Sequence, residues 1–144
     1  MNPDWSRQED VDLMLDECET WAVVGLGGDP RRTAYAIAAE LQQHGKRIVP
    51  IHPRAADEHV VVHGEKAYPT LADVPFPIDV VDVFRRSDAA GEFADQAVAI
   101  GATGVWFQMG VIDEDALRRT REAGVRMVMD CCPSREWYRR RKGA

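Results

Sequence analysis

The run Gly25-Leu26-Gly27-Gly28-Asp29-Pro30-Arg31-Arg32-Thr33 combines glycines, which let a backbone approach a ligand closely, with arginines that attract anions. Where such a turn opens a helix, the free amides and the positive helix end suit a pyrophosphate. The dinucleotide fingerprint G-x-G-x-x-G would need glycine where Pro30 stands, so the turn departs from a standard NAD site. A second loop, Pro50-Ile51-His52-Pro53-Arg54, falls where an NAD site places an acid for the ribose hydroxyls. It offers no acid and one arginine, which favours an anionic group beside the ribose, as in the 2′- or 3′-phosphorylated nucleotides NADP and coenzyme A.

Other reactive side chains lack the spacing that a reaction needs. There is no G-x-S-x-G elbow, no G-x-x-x-x-G-K-[ST] phosphate loop and no H-E-x-x-H helix, so no catalytic residue is assigned and a non-enzymatic protein is expected. His59 and His63 flank valines that read as extended chain, where four residues span roughly 13 Å, too far to share a metal. They are read as surface residues. Asp113-Glu114-Asp115 is read as the acidic first turn of a helix. Cys18, Cys131 and Cys132 are odd in number and lack paired C-x-x-C spacing, which points to reduced thiols and to no metal site.

The elements that would carry these loops alternate. Trp21-Ala22-Val23-Val24 runs into the glycines as a buried strand would, and Ala34, Ile37, Ala38 and Leu41 mark the inner face of a helix closed by Gly45. Further strands are expected over 47–51, 79–84, 104–108 and 125–129, with helices from Ser87 to Ile100 and from Asp113 to Ala123, each begun by a capping side chain. Ser6-Arg7-Gln8-Glu9 has capping-box spacing and predicts an opening helix over about 6–19. The proline-rich stretch 53–77 carries only a brief strand at Val60-Val61-Val62 and one helical turn from Thr70. Arg139-Arg140-Arg141-Lys142 lies in a basic tail, about 134–144, read as a solvated or frayed end. This order predicts an α/β fold of one domain over 1–144. It is a doubly wound parallel five-stranded sheet of order 3-2-1-4-5 with helices on both faces, its ligand lying outside the carboxyl ends of the strands.

Composition narrows the function classes. The chain has 144 residues, 45% hydrophobic and 29% charged, an ordinary globular mix. Its 18 Lys and Arg against 24 Asp and Glu give a net charge of −6, which argues against nucleic acid as the partner. No apolar run reaches the ~18 residues of a membrane helix, and the first residues lack a secretory pattern. A cytoplasmic protein with no membrane partner is the expectation.

A set of motifs in order carries a resemblance. Gly25-Leu26-Gly27-Gly28-Asp29-Pro30-Arg31-Arg32, Val49-Pro50-Ile51-His52-Pro53-Arg54, Gly64-Glu65-Lys66-Ala67-Tyr68-Pro69-Thr70-Leu71, Val81-Asp82-Val83-Phe84-Arg85-Arg86, Val105-Trp106-Phe107-Gln108-Met109-Gly110 and Met129-Asp130-Cys131-Cys132-Pro133 resemble the small bacterial CoA-binding proteins. These are similar to the CoA-binding domain of the succinyl-CoA synthetase alpha subunit, and the likeness covers about residues 15–138. The resemblance implies a Rossmann-like, nucleotide-binding domain whose cofactor is coenzyme A or an acyl-CoA. By that likeness Gly25, Gly27, Gly28, Asp29, Arg32 and Thr33 would hold the pyrophosphate, and His52, Pro53 and Arg54 would border the adenosine and its phosphate. The pantetheine arm would pass Phe84, Arg85, Arg86, Gln108 and Gly110 towards Cys132 and Pro133. The family's pattern leads one to expect a basic residue before Cys132, where this chain has Cys131.

Three functions are thus in competition: a carrier, sensor or regulatory module for CoA or acyl-CoA; a small NADP-type oxidoreductase; and a ligand-free interaction subunit of an acyl-CoA enzyme that docks through its tail from Trp137 onward. A homodimer or a protein partner is compatible with each.

Overall fold

A computed structural model describes residues 2–143. Strands β1 (Thr20–Val24), β2 (Arg47–Ile51), β5 (Val80–Val83), β6 (Gly104–Phe107) and β7 (Arg126–Val128) form a parallel sheet in the order β2-β1-β5-β6-β7, and β3 (Val61–Val62) and β4 (Glu65–Lys66) form a separate antiparallel hairpin. Helices α1 (Gln8–Glu17), α2 (Thr33–Gln43) and α5 (Pro133–Gly143) cover one face; α3 (Ser87–Ala99) and α4 (Glu114–Glu122) cover the other. The alternation of side chains along a strand sends Trp21, Val23, Val80, Trp106 and Val128 to the first layer and Ala22, Val24, Val81, Val83 and Phe107 to the second. Trp21 and Trp106, both sealed from solvent, meet at the centre of the first layer with ring centroids 5.5 Å apart. In the second layer Ala90, Ala94 and Ala97 let α3 lie close on the sheet.

The doubly wound pattern is the one predicted, with a shift in which segment holds the third place. Beyond β2 the sheet continues only as a parallel bridge between Ile51 and Tyr68, where Tyr68 donates to the Pro50 carbonyl at 2.9 Å and accepts from His52 at 3.0 Å. Pro50 therefore turns its backbone to this outer side, and the N–H it lacks could not support a full neighbouring strand. Counting that bridge, the order is 3-2-1-4-5 with one more strand, β7, at the far edge. The strand expected over 79–84 lies beside β1, not at the outer edge.

Four local readings are corrected. The opening helix starts at Gln8 with no side-chain cap, because Pro3 begins a separate 3-10 turn, Pro3–Ser6, that uses Ser6 as its last residue. Ser87 does not cap α3; its hydroxyl accepts from the Ile112 amide at 2.9 Å and donates to the Gly110 carbonyl at 3.2 Å, fastening the loop after β6. His63 is half-buried, its ring 4.1 Å from that of Tyr35 and its Nε2 2.8 Å from the Tyr35 carbonyl oxygen, which a surface residue would not be. The basic tail is helix α5: Trp137 is 7% exposed and stacked on His44 at 3.6 Å, while Arg140 reaches Asp12 at 2.6 Å and Asp16 at 2.7 Å on α1. The charges of that segment face outward because its tryptophan faces inward. Asp113 does cap α4, accepting from the Ala116 amide at 3.0 Å. Among the described residues, no helix is long and apolar enough to cross a membrane.

Candidate ligand site at the strand ends

The loops leaving β1, β2 and β5 meet at one edge of the sheet. Gly25 is held there by its amide, which donates to the Ile51 carbonyl at 2.9 Å, and it adopts φ +95°. A β-carbon at this position would lie 2.7 Å from the Phe84 carbonyl oxygen, so both the backbone angle and the approach of the β5 loop require glycine. Gly27 passes beneath the second loop, where a β-carbon would stand 3.0 Å from Arg54 Nη2 and 3.1 Å from His52 Cδ2. Gly28 is exposed, with open space where a side chain would be.

Helix α2 begins at Thr33 and no side chain caps it. Its first amides are therefore open, which makes this end of the helix able to accept an anion. Arg32 and Thr33 are both exposed at that end. Asp29 braces the turn: it accepts from the Arg31 amide at 3.0 Å and from the Arg31 guanidinium at 3.1 Å, and the Arg31 hydrogen bond holds its carboxyl below the usual range.

His52 caps the short 3-10 turn Pro53–Ala56, its Nδ1 accepting from the Arg54 amide at 3.2 Å. Its imidazole is pushed below its ordinary pKa first by burial and then by the positive charges of Arg54, Arg85 and Arg32. The charges of three arginines from three separate loops thus act on one ring, opposed only by Glu58, although they are far apart in the chain. Pro53 and Arg54 are exposed beside it. Phe84 is half-buried, and the Arg85 guanidinium extends over the Phe93 ring at 5.8 Å. Arg86 is paired with Asp88 at 3.4 Å.

The remaining sequence-predicted residues form a second group at the ends of β6 and β7. Gly110 has φ +81°, and its amide donates to Asp130 Oδ1 at 2.7 Å. Pro133 is buried at the start of α5, and Cys132 is half-buried at the wall of a cleft of about 350 Å³ that Met109, Asp130, Cys131 and Arg135 also line. Burial pushes the Cys131 thiol up to about 12, which removes it as a nucleophile. Its carbonyl accepts from the Trp106 indole at 2.9 Å and so anchors the loop to the core.

Gln108 is 5% exposed and donates from Nε2 to Asp82 Oδ1 across the β5–β6 pair. Sequence reasoning passed over Asp82 as a functional residue, although one signal was available: it is the only charged residue in the apolar strand Val80-Val81-Asp82-Val83. Ser87 and Asp130 were missed as supports of the Gly110 loop, because neither has a local pattern that points there.

Chemically, the first group can hold a phosphate-rich ligand: three guanidinium groups, an imidazole, open helix amides and a glycine turn. Comparison with known proteins agrees with that chemistry. The chain is similar to the uncharacterized protein YneT of Bacillus subtilis (strain 168), at 33% identity over 123 residues, which is 85% of this chain and 88% of that protein. Its fold is similar to that of a hypothetical protein from Pyrococcus horikoshii OT3, with a TM-score of 0.85, 33% identity and coverage of 96% of this chain and 95% of that one. It is also similar to part of the apo dinucleotide-forming acetyl-coenzyme A synthetase 1 of Ca. Korarchaeum cryptofilum, with a TM-score of 0.68 and 25% identity over 83% of this chain but 28% of the synthetase. The pattern of the CoA binding domain matches residues 19–137, and the chain belongs to that family.

Proposed function

We propose that this protein binds coenzyme A or an acyl-CoA at the ends of β1, β2 and β5, as a carrier, sensor or regulatory module and not as an enzyme. The observation that carries the reading is the packing of Arg54 and His52 together over Gly27, where the charges of Arg32 and Arg85 also reach, beside the uncapped start of α2. Coenzyme A brings a pyrophosphate and a 3′-phosphate, and that arrangement offers a helix end for the first and a free guanidinium for the second. NADP has a comparable charge pattern and is the rival ligand. Docking of a partner through Trp137 is disfavoured, because that side chain is occupied within the chain by His44.

Thermal shift with CoA, acetyl-CoA, NADPH, NAD and ATP tests the reading. Ligand at about 100 times its Kd adds about 2.7 kcal/mol to the folded state, which a melting curve resolves. A rise with CoA or its thioester and none with NADPH supports it. Silence with both CoA compounds overturns it, and a rise confined to NADPH transfers the site to the oxidoreductase reading.

A further inference from the structure

Asp82 lies in the middle of the sheet, opposite Val23 on β1 and Trp106 on β6, and is sealed from solvent. Burial pushes its carboxyl up to about 8, opposed only by the hydrogen bond from Gln108, and no charged side chain acts on it. A carboxyl in such a place is costly unless it holds something. Oδ1 accepts from Gln108 Nε2, while Oδ2 has no partner at all. The contact therefore runs through one end of the Gln108 amide. Its other end, Oε1, accepts no hydrogen bond among the described residues and is left to take one. Gln108 follows the last residue of β6 and precedes Met109, which lines the cleft with Cys132.

We propose that Asp82 is a positioning residue: by holding Nε2 inward it fixes the Gln108 amide with Oε1 outward, where that oxygen accepts a hydrogen bond from an amide N–H of the pantetheine arm. The inference rests on the CoA reading. It assigns to Asp82 a part in reading the arm of the ligand, distinct from the phosphates that the arginines hold. Replacing Asp82 by an apolar residue frees the amide to rotate, at a loss of one oriented hydrogen bond.

The test is calorimetric titration of wild type, Asp82→Leu, Asp82→Asn, Gln108→Met and Asp82→Leu/Gln108→Met with CoA and with adenosine 3′,5′-bisphosphate, which lacks the arm. Asp82→Leu is expected to weaken CoA about fivefold and to leave the bisphosphate unchanged. Asp82→Asn, which keeps an acceptor for Nε2, restores CoA binding. The double variant binds CoA as weakly as Gln108→Met alone, because the two residues act as one unit. Equal losses for both ligands, or additive losses in the double variant, overturn the positioning role while leaving CoA binding in place. Absence of CoA binding by the wild type overturns the ligand reading itself. Should Asp82→Leu not fold, the side-chain amide signal of Gln108 in nitrogen-15 NMR, identified by its loss in Gln108→Met, decides. Slow exchange and a shift on adding CoA support the proposal, and free-glutamine behaviour overturns it.

Discussion

The guanidinium of Arg54 rests over the α-carbon of Gly27, so close that a β-carbon there would stand 3.0 Å from Nη2. The contact joins the glycine turn after β1 to the loop after β2 and fixes where the charge of Arg54 sits. It also separates the two glycines by what they do. At Gly27 the neighbours are the outer ends of side chains, which can give way, and φ is ordinary. At Gly25 the neighbour is backbone and φ is +95°.

Gly27→Ala is accordingly expected to fold with less than about 1 kcal/mol lost and to weaken CoA several-fold by displacing Arg54 and His52. Gly25→Ala is expected to cost about 2 kcal/mol or more, a fall of roughly 6 °C in Tm. Melting curves and titrations on both variants check the pair, and a reversed ranking of their stabilities would contradict the assignment.

Arg54 is exposed, so its contribution to a phosphate contact is screened and modest. Arg54→Ala is expected to weaken CoA about five- to tenfold at low salt, and to change dephospho-CoA, which lacks the 3′-phosphate, by less than twofold. Equal losses for the two ligands would place the arginine on the pyrophosphate instead.

The pH dependence of stability follows from Asp82. Its carboxyl moves from 3.8 to about 8 on folding, so the folded chain keeps a proton that the unfolded chain releases. Stability from this group is fully present below pH 3.8, declines as pH rises and is lost once pH passes about 8. Between pH 5 and 7, wild type is expected to lose about 1.4 kcal/mol per pH unit relative to Asp82→Asn, measured by urea unfolding of both. Parallel pH profiles for the two proteins would show that Asp82 does not hold its proton.

Helix α5 makes a prediction of its own. Trp137 is buried against α2 and stacked on His44, so Trp137→Ala is expected to lose about 3–5 kcal/mol, seen as a lower urea midpoint. A frayed tail would leave the midpoint unchanged.

The alternation of strands and helices, the glycine turn before α2 and the Asp113 cap are legible in the sequence because each depends on a short stretch: apolar runs of strand length, a 3.6-residue stripe, a side chain reaching a nearby amide. The motif resemblance likewise pointed to the CoA-binding family, to which the chain belongs. The tertiary structure decided what depends on residues far apart in the chain. Ser87 had a local use as a cap and was drawn instead to Gly110 and Ile112, more than twenty positions away. The charges of α5 suggested a solvated end until Trp137 met His44 and Arg140 met α1. Arg32, Arg54 and Arg85 carry no shared spacing, and only the parallel pairing of β2, β1 and β5 brings their loops to one edge of the sheet, where their charges act on His52. Asp82 and Gln108 became partners for the same reason, since neighbouring strands place on one face of the sheet residues that no sequence period connects.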